Sequence, residues 1–156
     1  MMRLQRGIVL SLLVTTAALG ACKSSTSSSN PCADFQGTWN SGDFIYTATA
    51  DPSVSVNLKS LGAVITLNVD NNCNYTGTAN IPTITTGAAN INGSFTLDSD
   101  STLTLHDATA VGAVINNTYN YTLSSSTLML VNPSTTFDFG TGTAVPAEVS
   151  ITFLKS

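Results

Sequence analysis

The stretch AVITLNVDNNCNYTGTA, residues 63 to 79, decides the fold. Ile65, Leu67 and Val69 fall on one side of an extended segment, with Thr66 and Asn68 on the other. Asp70-Asn71-Asn72 then supplies turn chemistry, after which Cys73, Tyr75 and Gly77 align on one face of a second segment. A period of two on both sides of a tight turn is the pattern of a β-hairpin with one buried face.

The same signature repeats outward from this hairpin. Upstream, FIYTATA aligns Phe44, Tyr46, Ala48 and Ala50. Downstream, INGSFTL aligns Ile91, Gly93, Phe95 and Leu97, Asp98-Ser99-Asp100 turns the chain, and STLTLH points Leu103 and Leu105 inward. VINNTYNYTL contributes Ile115, Tyr119, Tyr121 and Leu123, Ser124-Ser125-Ser126 turns it into TLMLV, and EVSITFL offers Val149, Ile151 and Phe153. No long segment keeps an apolar 3.6 period. The expectation is an all-β domain of about eight antiparallel strands in consecutive hairpins, closed as an up-and-down barrel, with a β-sandwich as the alternative.

Three connections are longer than a tight turn. Residues 51 to 62, DPSVSVNLKSLG, suit a short helix or a lid, and IPTITTGAA suits an edge segment because Pro82 cannot donate to a ladder. Residues 132 to 146 read as a long loop holding Phe137 and Phe139, and loops of that length are often functional.

The N-terminus is organised differently. Arg3 and Arg6 precede an apolar run from Gly7 to Leu19, too short to span a bilayer but of signal-peptide length. Leu19-Gly20-Ala21-Cys22 resembles the lipobox of bacterial lipoproteins. The resemblance implies removal of residues 1–21, a diacylglyceryl group on the Cys22 sulfur and acylation of the new terminus; the alternative is ordinary secretory cleavage that leaves a free thiol. Two or three acyl chains anchor stably where one does not. Lys23 stands where members of that class carry an aspartate when retained in the inner membrane, which implies the outer membrane. The Ser-rich segment from Cys22 to Pro31 cannot pack and reads as a flexible, lipidated tether to a domain at 32–156.

Without residues 1–21 the chain keeps Lys23, Lys59 and Lys155 against nine acidic residues, a net charge of −6. So acidic a surface disfavours nucleic acid and anionic membrane surfaces. Charged residues make up only 9% of the chain, so hydration rests on Ser, Thr and Asn. Cys32 and Cys73 remain after Cys22 is used. In an exported domain they are most simply a disulfide that ties the domain start to the first hairpin, worth about 4 kcal/mol for a loop of this length. A metal pair is the rival, weak with a single histidine and no C-x-x-C spacing.

Phe35-Gln36-Gly37-Thr38-Trp39 resembles the Gly-x-Trp opening of lipocalins, and residues 121 to 130 resemble the late hairpin of bacterial lipocalin-like lipoproteins. The resemblance implies an eight-stranded barrel over residues 34–156, with Trp39 on the first strand closing the floor. Lipocalins commonly cap that tryptophan with a basic residue near the last strands, and here Lys155 alone is available. As a plain core residue, Trp39 would suit a sandwich equally well.

Catalytic and metal constellations are sparse, so no enzymatic role, cofactor or metal is expected. His106 falls on the face opposite Leu103 and Leu105, next to Asp107, with no Gly-x-Ser-x-Gly elbow anywhere. Asp98 and Asp100 flank a turn, Gly140-Thr141-Gly142 is a loop, and Glu148 is the only glutamate. What remains is aromatic. Trp39, Tyr46, Tyr75, Phe95, Tyr119 and Tyr121 are the candidate ligand-binding residues, with Gly77 and Gly93 leaving room beside the rings. The expected role is a lipid-anchored binding module for a small hydrophobic ligand of the cell envelope. A barrel with a filled core that meets an envelope protein is the alternative.

Overall fold

A computed structural model describes residues 30–82, 87–108 and 114–156. The leader at 1–21, Cys22 and the tether as far as residue 29 lie outside the described residues, as does the 83–86 part of the IPTITTGAA segment.

Nine strands follow one another: β1 (Gly37–Ala48), β2 (Ser55–Asn57), β3 (Val64–Val69), β4 (Asn74–Asn80), β5 (Ala89–Leu97), β6 (Thr102–Ala108), β7 (Val114–Leu123), β8 (Thr127–Phe137) and β9 (Val145–Lys155). From β3 to β9 each strand pairs antiparallel with the next, and β1 pairs with both β3 and β9. The ladder therefore returns to its start. Eight strands form a closed, lipocalin-like up-and-down barrel, and β2 is an additional short strand on the far end of β1. The sandwich alternative fails because no second sheet exists for the first to pack on among the described residues.

Alternation drives this closure. Phe44, Ile65, Val69, Tyr75, Phe95, Leu103, Leu128, Leu130, Val149, Ile151 and Phe153 are all buried in one core. Their neighbours in sequence present Thr, Asn and Ser outward, and these link across strands: Thr38 Oγ1 donates to Asn68 Oδ1 at 2.6 Å and Thr104 Oγ1 meets Thr118 Oγ1 at 2.9 Å. An apolar inside and a hydroxyl-and-amide outside is the reverse of the pattern a lipid-embedded barrel needs. No helix among the described residues is long and apolar enough to cross a membrane.

The two ends of the barrel differ. At one end, tight turns join β3 to β4, β5 to β6 and β7 to β8, and the chain enters through a short 3-10 turn at Ala33–Phe35. Phe35 and Trp39 are buried there, and Cys32 is bonded to Cys73 with Cα atoms 5.3 Å apart. This is the floor. Trp39 has 0% exposure, its Nε1 donates to the Phe35 carbonyl at 2.7 Å, and Lys155 Nζ lies 5.1 Å from its ring centroid. The C-terminal lysine thus supplies the cation over the tryptophan.

The opposite end carries the long connections. Residues 51–62 form β2 and a short 3-10 helix at Leu58–Leu61, in line with the short-helix expectation, and its Leu58 is only 1% exposed. The expected loop at 132–146 is mostly strand. An irregularity between Asn132 and Thr135 absorbs Pro133, so β8 continues to Phe137 and only residues 138–144 connect it to β9. Ala50 lies past the end of β1 and is exposed.

β1 bends at an irregularity between Ser41 and Phe44, where its pairing with β3 stops. Side chains replace the lost backbone partners: Ser41 Oγ accepts from the Ile65 N–H at 2.8 Å, and Asn57 Oδ1 accepts from the Phe44 and Lys59 N–H groups. Buried donors are thereby satisfied at the bend.

Candidate functional site

Inside the barrel a cavity of about 260 Å³ runs from Phe35 and Phe153 near the floor up to Ile81, Ile91 and Asp107. Side chains from all eight barrel strands line it, and nearly all are Leu, Ile, Val or Phe. A void of about 150 Å³ with comparable lining stays dry and accepts benzene in another protein, so this one has room for an apolar guest somewhat larger than that. It sits just below the usual range of ligand pockets, roughly 300–1,000 Å³.

The six aromatic candidates belong to one hydrophobic core, but only three of them line the cavity. Tyr75, Phe95 and Tyr119 line the cavity. Trp39 lies beneath it in the floor, and Tyr121 packs edge-on against Phe35 at 5.4 Å. Tyr46 stacks on Phe137 at 4.2 Å, and Phe137 meets Phe139 edge-on, so these rings fill the β1–β8 side of the upper barrel. Of the two rings expected in the 132–146 loop, Phe139 lies in the connection after β8, while the continued alternation of β8 brings Phe137 back to the core.

Asp107 is the residue the sequence reading passed over. Leu103 and Leu105 point inward on β6, and by the same period of two Asp107 does so as well. Among the described residues it is the one charged side chain in the cavity wall. Tyr75 Oη donates to Asp107 Oδ1, and Asn117 Nδ2 lies 3.4 Å from Oδ2.

Tyr75 and Asp107 stand on strands two apart, each opposite Gly93 in the intervening β5. The missing side chain at 93 is what lets the Tyr75 ring cross. A Cβ there would lie 2.5 Å from Tyr75 Oη and 2.3 Å from the His106 carbonyl oxygen. Gly93 therefore does not leave free room beside the rings, since the Tyr75 ring occupies that space. Gly77 is similar: a Cβ would meet the Thr66 carbonyl oxygen at 1.9 Å, so glycine there permits close approach of β3 and β4.

The tyrosines around this carboxylate hold their protons. Burial, then the hydrogen bond to Asp107 and its charge, pushes Tyr75 far above the ordinary phenol value. Burial followed by the Asp107 charge raises Tyr119 to about 12, and burial raises Tyr46. Tyr75 thus serves as a donor toward Asp107 over the whole physiological range.

His106 points to the outer face, with Nδ1 2.8 Å from Asn116 Oδ1 and Nε2 3.2 Å from Thr96 Oγ1. It and Asp107 are on opposite faces of β6 and do not form a pair. Asp98 accepts from the Thr96 and Thr104 hydroxyls, and Asp70 accepts from the Asn72 and Asn74 N–H groups, so both act as turn carboxylates. The hydrogen bonds from Asn74 and Asn72 hold Asp70 below the usual carboxylate range. No group of three or more metal-ligating side chains is present among the described residues.

Beside the cavity, a polar cleft opens between β7 and β8. The two strands pair only from Asn120 to Leu123, after which the bend at Asn132–Thr135 takes β8 away. Asn116, Asn117, Asn120, Asn132 and Ser134 line the gap.

No family model matches the chain, and comparison with curated proteins and with solved structures likewise gives no match.

Proposed function

We propose that this protein is a lipoprotein anchored in a bacterial outer membrane through acylated Cys22, and that its lipocalin-like barrel binds a small hydrophobic ligand in the cell envelope. The observation that carries the binding role is the apolar cavity of about 260 Å³ within a closed barrel. A structural barrel has no use for such a void, because lost contacts around a cavity destabilise a core. The leader and Leu19-Gly20-Ala21-Cys22 support the anchor.

The chain enters the barrel at the floor, so a flexible tether from Cys22 to Pro31 joins the anchor to that end and leaves the long-connection end free of it. Nine residues reach about 30 Å when extended, enough for the barrel to stand clear of the headgroups. Ligand then arrives from the aqueous side.

Two measurements test the two halves of this proposal. Cells fed labelled palmitate should mark the protein, and Cys22→Ser should abolish the label and release the protein from the membrane fraction. The purified protein should enhance the fluorescence of the neutral probe N-phenyl-1-naphthylamine at one probe per chain. A labelled protein that never binds the probe would leave the anchor and remove the carrier role.

A further inference from the structure

We propose that the barrel selects an amphipathic amine, its ammonium group bound by Asp107 and its apolar part lying in the cavity below. This deepens the ligand-binding role and rests on it.

Charge placement favours a cation. Asp107 lies in a wall that otherwise offers aliphatic and aromatic carbon and two tyrosine hydroxyls. The cations of the described residues are all committed elsewhere. Lys155 Nζ sits over Trp39 and donates to the Asp34 carbonyl at 3.3 Å, Lys59 Nζ donates to the Ser41 carbonyl at 3.2 Å, and His106 points outward. Residues 83–86 and 109–113 include no Lys, Arg or His. Among the described residues Asp107 has two neutral donors, Tyr75 and Asn117, and two oxygens with about four acceptor positions between them. Acceptor capacity is left over. Opposite charge is what a carboxylate against an apolar wall lacks, and an ammonium group supplies both charge and donors.

Access agrees with this arrangement. Asn117 touches Asp107 and also lines the polar β7–β8 cleft, so the carboxylate sits where the apolar interior meets an amide-lined opening. A ligand with a wet cationic head and a dry tail matches that boundary. An anionic head would meet Asp107 and a chain of net charge −6 after leader removal, with no cation to receive it.

Octylammonium, 1-octanol and octanoate share one tail and differ in the head, so calorimetric titration of each into the protein isolates the head group. The expected result is one site per chain, octylammonium about tenfold or more tighter than octanol, and octanoate weakest. Asp107→Asn should bring octylammonium to the octanol affinity and leave octanol unchanged. The carboxyl carbon resonance of Asp107 should move with octylammonium and stay with octanol, which reads the contact even where the variant does not fold. Equal binding of amine and alcohol, tighter octanoate, or an amine preference that survives Asp107→Asn would each overturn the amine assignment and leave an apolar carrier. Failure of all three ligands to bind would overturn the carrier role with it.

Discussion

The floor and the upper end of the barrel are built from the same alternating strands, yet they differ in what fills them. At the floor every feature adds a constraint: Trp39 is fully covered, its indole N–H is bonded, Lys155 caps its ring and the Cys32–Cys73 bridge ties in the entering chain. At the upper end β1 bends away from β3, β7 and β8 part, and Asp107 stands in the cavity wall. One end fixes the fold, and the other tolerates the void and the charge. Stability and binding are thus separable along the barrel axis.

That separation can be broken by mutation. Trp39→Ala should lower unfolding free energy by about 3–5 kcal/mol in urea titration. Phe139→Ala, in the connection beyond β8, should cost less than half as much. Equal losses would mean that the upper end is as much a part of the core as the floor. Replacing Cys32 and Cys73 together by serine should cost about 4 kcal/mol, because the bridge closes a loop of 41 residues in the unfolded chain. The same double variant should keep its affinity for a cavity ligand under conditions where it remains folded.

Gly93→Ala sharpens the comparison in the other direction. The new methyl meets Tyr75 and the β6 backbone, so stability should fall by about 1–3 kcal/mol. It should also displace the Tyr75 hydroxyl from Asp107, which the carboxyl carbon resonance of Asp107 reads as a shift. An unchanged resonance would show that Gly93 has no part in placing the donor.

The pH response above 10 comes from the raised tyrosines Tyr46, Tyr75 and Tyr119, and Tyr119 supplies one share of it. Its folded-state pKa of about 12 exceeds the ordinary 10.0, so the folded state holds that proton more tightly than the unfolded one. The resulting contribution is whole below pH 10 and is lost as pH rises from 10 through 12. Tyr119→Phe should flatten that part of the stability curve. Smallest of all, Lys155→Met should cost about 0.5–1 kcal/mol through the lost cation–π contact, measured by the same urea titration.

Most of the fold was legible because a period of two is a local signal. Ile65, Leu67 and Val69 opposite Thr66 and Asn68 required no knowledge of distant partners. The exceptions have physical causes. Pro133 looked like the start of a loop, but a bulge absorbs it and the ladder resumes at Thr135. Residues 51–62 suit a short helix or a lid; a short 3-10 helix forms, and the burial of its Leu58 in the core is what no local pattern shows.

The site was less legible. Counting by twos from Leu103 and Leu105 reaches Asp107, but a charged side chain at the end of an apolar row more often marks the strand's exit to solvent than a cavity wall. The Tyr75–Asp107 bond spans two strands over Gly93, and no local pattern announces such a reach. Similarly, one row of inward aromatics does not reveal that Tyr46 stacks on Phe137 while Tyr119 lines open space.

The central claim is that the interior of the barrel takes a guest. Methyl-resolved NMR during titration with 1-octanol tests it most directly. The account predicts saturating shifts at Ile65, Ile91, Leu103 and Ile151 at one equivalent, with the outward Val64, Met129 and Leu154 unmoved. Shifts confined to those outer residues, or none at all, would contradict it.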